Sequence, residues 1–271
     1  MTATAPVLDS GALRCLAERA RITAARLVAS QGLGYLGQVF SSADILAVCL
    51  GRFLRRGKDR FVLSPSHYAT AVYAVGAELG LLNASELADY GRDGSSLETI
   101  GTERTPLVDY TCGSLGQGLS VAIGLSLADR LKGLGGRTYV LVSDGEMEEG
   151  QLWEAAMFAA HHRLSRLVVA VDCNESQVDG PIATVTTVEP IADKWRAFGW
   201  YVQEVDGHDT AALVEAFEAA PPGDLPTAII ARTSMTAGLT SLRTADDTHF
   251  MKVSEPFADS VIRELEQRLP C

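Results

Sequence analysis

Two residues near the middle of the chain have the types and spacing to hold a hard cation. Asp144 follows an apolar run, Thr138 to Val142, and Asn174 follows a second apolar run, Leu167 to Val171. A carboxylate beside an amide carbonyl is an oxygen pair suited to Mg²⁺ or Ca²⁺, and Mg²⁺ held by so few protein groups completes its octahedron with ligand phosphates. The two residues meet only if the apolar runs are neighbouring parallel strands. Their carboxyl ends would then lie at the rim where open α/β sheets bind ligands. Gly145 lets the backbone turn tightly behind Asp144, and the helical pattern after it aims a positive dipole end at the same rim. Asp and Asn also turn and cap chains routinely after strands, and on these residues alone that is the favoured reading.

The elements that would position this pair follow the same alternation. Helical spacing covers Gly11 to Ala29, a strand is expected from Asp59 to Leu63, and a helix from Ala69 to Leu81. Ser85 is expected to cap a short helix. A long helix runs from Leu119 to Lys132, and Gly135-Gly136 turns into the central strand. Beyond Gly180 come a helix from Glu189 to Phe198, a strand from Trp200 to Val205, a helix from Asp209 to Ala219 that His208 is expected to cap with Asp209, and a strand from Thr227 to Ala231. Arg232 to His249 is loop-like, and a helix from Glu255 to Leu269 closes the chain. The pattern predicts one α/β domain over residues 1–271, an open, mainly parallel sheet with helices on both faces. Gly32-Leu33-Gly34-Tyr35-Leu36-Gly37 spells a dinucleotide fingerprint, but a helix precedes it where a strand is required and an irregular segment is expected after it. That reading is rejected. Ser41 is expected to cap the helix that follows.

The chain has 271 residues, 47% of them hydrophobic, enough for one large core. A net charge of −11 with no basic stripe gives no support for a nucleic-acid partner. No charged-then-apolar leader and no apolar run of membrane-spanning length stand out, which predicts a cytoplasmic chain with no membrane partner. The five cysteines (Cys15, Cys49, Cys112, Cys173, Cys271) are scattered without a CxxC, so thiols rather than a disulfide frame or zinc site are expected.

The segment SDGEMEEGQLWEAA followed by VDCNESQVDG resembles the thiamine diphosphate motif, and more narrowly the transketolase family. Ser143 stands where the family has its first glycine. The resemblance implies the thiamine diphosphate-binding fold, with Asp144 and Asn174 as Mg²⁺ ligands and the backbone carbonyl of Ser176 as a third. It places Ser143, Gly145, Glu146 and Val178 beside the cofactor, and Glu149 in a carboxylate network between subunits. Thr111 to Gly118 matches closely again, putting Gly113, Ser114, Leu115 and Gly116 on the diphosphate side, where glycines admit an anion to a helix amino terminus.

Departures from the family pattern cluster where it places substrate. The His-Pro-Gly-Gly tetrad is Tyr35-Leu36-Gly37-Gln38, the Lys-Gly-His turn is Pro65-Ser66-His67, and a second histidine aligns with Ile100. The Trp-His-Gly segment is Thr248-His249-Phe250, and the Lys-Gly-Lys-Gly turn has lost its basic residues. His67, Tyr35 and His249 remain the candidates for proton transfer. The family's pyrimidine-binding domain is not found here. The resemblance therefore implies the N-terminal half of a split enzyme that transfers a two-carbon ketol unit, paired with a C-terminal subunit as an α2β2 heterotetramer. Alternatives are ketol or acyl transfer to a lipoyl or carrier-protein acceptor, and a cofactor-free scaffold.

Overall fold

A computed structural model describes residues 8–242 and 247–269. Six strands form one sheet: β1 Arg60–Pro65, β2 Tyr110–Cys112, β3 Thr138–Ser143, β4 Leu167–Cys173, β5 Tyr201–Asp206 and β6 Thr227–Arg232. All five pairings are parallel and the spatial order is β2-β1-β3-β4-β6-β5. The central strands are apolar almost throughout because both of their faces are covered, as a parallel sheet requires. Alternate side chains feed two cores. Phe61, Leu63, Tyr139, Leu141, Val168 and Ala170 enter one, while Val62, Val140, Val142, Val169 and Val171 enter the other.

The first core is closed by α1 Ser10–Gln31, α2 Leu36–Val48, α3 Ala69–Glu78, α7 Thr210–Glu218 and α8 Glu255–Arg268. The second is closed by α4 Gly118–Leu131, α5 Gly150–His161 and α6 Ile191–Ala197. The expected fold class is therefore the observed one.

Local differences have local reasons. The strand Tyr110–Cys112 is not foreseen from sequence, because its three residues lead straight into the glycine-rich loop. Ser41 and Ser42 lie inside α2 and do not cap it. Their hydroxyls donate back to the Gln38 carbonyl, a bond that helix interiors accommodate. Asn83, not Ser85, caps the short helix Ala84–Ala88, in a reciprocal capping box with Glu86. By length and composition Leu36–Phe53 could cross a bilayer, against expectation, yet 83% of that window is buried inside the fold. Cys15 is disulfide-bonded, also against expectation, whereas Cys49, Cys112 and Cys173 are free thiols.

A short antiparallel pair, Leu33–Gly34 with Met251–Lys252, is a further addition to the expected elements. It ties the turn before α2 to the chain just before α8. Gly37 sits beneath this strap, where an added Cβ would lie 2.2 Å from the Thr248 carbonyl oxygen.

Candidate functional site

Strands β3 and β4 are neighbours in register, Ser143 opposite Asp172, so Asp144 and Asn174 emerge side by side at the carboxyl rim. The two turns are stitched together. The Asp144 backbone N–H donates to the Asp172 carbonyl (3.1 Å), and the Asp144 carboxylate accepts from the Glu175 N–H (2.6 Å) and the Gly145 N–H (2.9 Å). Glu175 adopts φ +61° to present that N–H, a conformation that side chains other than Gly tolerate only where surroundings enforce it.

Asp144 is 2% exposed. Burial, with the negative charge of Asp172 behind it, pushes its carboxyl up to about 8 despite the two backbone donors. A carboxylate so placed is stabilised in its charged form by a cation. The Asn174 side chain is fixed at both ends. Its amide nitrogen donates to Tyr68 OH and to Asp172 Oδ2 (2.9 Å each), while Oδ1 accepts the Ser176 N–H at 3.1 Å. Among the described residues no group of three or more His, Cys, Asp or Glu side chains could hold a metal. The donor set on offer is thus one carboxylate, one amide oxygen and nearby backbone carbonyls, which suits a hard cation that brings its own phosphate oxygens.

The glycine-rich loop borders this rim. Gly116 takes φ +79° and packs against Glu149, where an added Cβ would lie 2.6 Å from the Glu149 Cβ. Gly113 faces open space, and Ser114 and Leu115 complete the turn into α4. Glu146, grouped above with residues beside the cofactor, turns its carboxylate inward. Its carboxylate, 0% exposed, accepts from Ser64 Oγ (2.6 Å), the Gly116 N–H (2.8 Å) and the Ser143 N–H (3.2 Å). It joins β1, the glycine loop and the Asp-Gly turn. Burial raises its carboxyl to about 7, those three donors opposing the rise. Glu149 is exposed at the start of α5, and Val178 is exposed on the hairpin Ser176–Pro181.

Tyr35, His67 and His249 come together from three distant segments. Ring centroids are 5.1 Å apart for Tyr35–His67, 5.4 Å for His67–His249 and 6.0 Å for Tyr35–His249. Phe250 joins them, 4.8 Å from Tyr35. Burial and the neighbouring His249 push His67 down to about 3, and burial lowers His249, so both rings are neutral hydrogen-bonding groups at neutral pH. His249 Nδ1 is buried without a hydrogen-bond partner, an atom ready for a ligand donor. The Gly101 N–H donates to the Ser66 carbonyl at 2.8 Å, which brings the Ile100 segment alongside His67.

One expectation about a single residue changes, and one further residue comes forward. His208 does not cap α7; Asp209 does, while the His208 ring bonds Asp44 (3.0 Å) and accepts the Ser234 N–H (3.0 Å). Asp172, which the sequence pattern passes over, is the best-connected acid of the site. Its signal was there: a single carboxylate in the otherwise apolar strand LVVAVDC.

The sequence matches the family model "transketolase, thiamine diphosphate binding domain" over residues 14–269. The chain belongs to the transketolase family. It is 42% identical over 248 residues to the transketolase family protein y4mO of Sinorhizobium fredii, covering 88% of this chain and 89% of that protein. To the 6-deoxy-6-sulfo-D-fructose transketolase subunit SqwG of Clostridium sp. (strain MSTE9) it is 37% identical, covering 87% of this chain and 90% of that subunit. Human transketolase is 33% identical over 267 residues, but the chain spans only 42% of its length. Transketolase from Campylobacter jejuni superposes with a TM-score of 0.85 at 24% identity, across 94% of this chain and 42% of that one. The domain is thus a thiamine diphosphate-binding domain of transketolase type.

Proposed function

We propose that the chain is the N-terminal subunit of a thiamine diphosphate- and Mg²⁺-dependent transketolase-like enzyme that transfers a two-carbon ketol unit together with a pyrimidine-domain partner. The observation that carries this reading is the Asp144–Asn174 pair, an amide oxygen and a hard-to-ionise carboxylate at the ends of adjacent parallel strands. SqwG supports the split arrangement, since it is named as a subunit and the chain covers 90% of it.

In this reading Asp144, Asn174 and the Ser176 carbonyl hold the cation, and Gly113 to Gly116 admit the diphosphate to the α4 amino terminus. The cofactor, when bound, supplies the nucleophile and electron sink for C–C cleavage and ligation. The protein supplies placement. His67 and His249, both neutral, accept hydrogen bonds from substrate hydroxyls, and Tyr35 OH donates one where a histidine would have titrated. Glu149 is left exposed for the partner to cover. The decisive experiment titrates thiamine diphosphate into the chain plus partner with and without Mg²⁺. Cation-dependent binding is expected, and its absence would favour the scaffold alternative.

The walls around Tyr35 favour a narrower substrate reading. Tyr35 and Phe250 put two aromatic rings beside the imidazoles, and Ile100 cannot donate a hydrogen bond at all. A site built around a sugar hydroxyl loses on the order of 1–3 kcal/mol for each donor removed. The assembled enzyme is therefore expected to use xylulose 5-phosphate plus ribose 5-phosphate poorly and to prefer a less hydroxylated partner on at least one side. Catalytic efficiency with that sugar pair equal to a standard transketolase would restore the plain sugar-phosphate assignment.

A further inference from the structure

We propose that Asp172 is a positioning residue that decides which end of the Asn174 side chain faces the cation. The inference rests on the reading of Asp144 and Asn174 as the cation anchor.

An asparagine amide is nearly symmetric in shape, and its two ends differ in what they do. One end accepts, the other donates, and only the oxygen can ligate a metal. Nothing in the shape of the pocket chooses between them; the hydrogen-bond partners must. Asp172 and the Ser176 N–H make that choice together here. Asp172 lies at 0% exposure behind Asn174, and its Oδ2 accepts the Asn174 amide N–H at 2.9 Å. Both Asp172 oxygens accept in this network, so the NH₂ end is drawn inward and Oδ1 is left at the other end. There it accepts the Ser176 N–H and keeps a second lone pair.

Asp172 is itself held fast. Ser41 Oγ (2.6 Å) and Tyr68 OH (2.8 Å) donate to its Oδ2, and Thr233 Oγ1 donates to its Oδ1. These donors come from α2, from the turn after β1 and from the chain after β6, so the carboxylate is fixed from three sides. All three are hydroxyls, able to donate or accept. With an amide at position 172 those hydroxyls can pair either way round, so the Ser176 N–H alone is left to hold Asn174 Oδ1 toward the cation.

A double-mutant cycle separates orientation from charge. Mg²⁺ is titrated into the full chain with its partner in the presence of thiamine diphosphate, using wild type, D172N, N174D and D172N/N174D. With Asn174 in place, D172N is expected to raise the Mg²⁺ concentration for half-maximal binding by roughly 10- to 100-fold, the usual cost of losing a group that orients a metal ligand. In the N174D background both ends of the side chain are oxygens and a carboxylate faces Asp172, so the same change removes a repulsion and should leave Mg²⁺ binding unchanged or tighter. Equal losses in both backgrounds would make Asp172 a charge and overturn the orientation role. Binding by D172N that matches wild type would overturn it too, with the anchor reading intact. Wild type that binds the cofactor without regard to Mg²⁺ would remove the anchor reading and this inference with it.

A measurement on the unmutated chain covers the case of a D172N protein that does not fold. The Asn174 side-chain NH₂ protons, identified by their loss in N174D, should exchange slowly with solvent both with and without Mg²⁺. Fast exchange in the cation-free chain would show that Asp172 does not hold the amide.

Discussion

Asp144 is the residue on which the proposed chemistry turns, and its environment explains why substitution should be severe. The carboxyl is buried and raised by Asp172, so it serves little purpose in a cation-free protein beyond two backbone hydrogen bonds. D144A is expected to abolish Mg²⁺-dependent cofactor binding, and N174A to do the same. The double variant should be no worse than either single one, because both serve one ion. Calorimetric titration of the three proteins with thiamine diphosphate and Mg²⁺ checks this; normal binding by D144A would displace the metal site. His67 gives a pH dependence of known sign. Its folded-state pKa is depressed to about 3 from the ordinary 6.5, so between those values the unfolded chain binds the extra proton. Stability is then fully present above about pH 6.5 and is lost as pH falls toward about 3. H67N should show a shallower loss of Tm between roughly pH 6.5 and 4 than wild type, and parallel curves would place the acid sensitivity elsewhere.

At the scale of elements, the site depends on a strap that no periodicity announces. The pairing of Leu33–Gly34 with Met251–Lys252 brings His249 and Phe250 over the turn that carries Tyr35. Gly37 makes the close approach possible, since any Cβ there meets the Thr248 carbonyl oxygen at 2.2 Å. A backbone carbonyl has no rotamer by which to yield. G37A is therefore expected to lower stability by roughly 1–3 kcal/mol, the usual range for forcing extra volume into a packed site. Denaturant unfolding measures that loss. Because the strap carries His249, substrate affinity of the assembled enzyme should fall alongside, whereas cation-dependent cofactor binding should change little. A G37A protein of wild-type stability would mean the strap adapts freely.

At the scale of the whole molecule, the described residues form a two-core sheet layer with the proposed site at its carboxyl rim. Leu131, Met157 and Phe158 are 87%, 57% and 44% exposed on α4 and α5. Exposed apolar side chains of this size are what a partner subunit covers. Alone, the chain should bind cofactor weakly and catalyse nothing. Mixed with a subunit carrying a pyrimidine-binding domain, it should run as a heterotetramer with two of each chain, which light scattering after gel filtration detects. Turnover by the isolated chain would refute the split arrangement.

The parallel sheet, its helices and the Asp144–Asn174 rim were legible in the sequence because each rests on short-range physics. Apolar runs of strand length, acidic or amide residues just past their ends, and glycines before a helix are local signals with few alternatives. Tyr35, His67 and His249 were legible singly, through resemblance, though their meeting was not. Three other facts needed the folded chain. Glu146 points into the protein because Ser64, Gly116 and Ser143 offer it three donors from separate segments. His208 leaves its expected cap because Asp44 and Ser234 lie within reach of its ring. Asp172 gathers hydroxyls from residues 41, 68 and 233, far apart along the chain. A buried polar group takes whichever partners the tertiary fold brings to it, and sequence spacing carries no record of which those are.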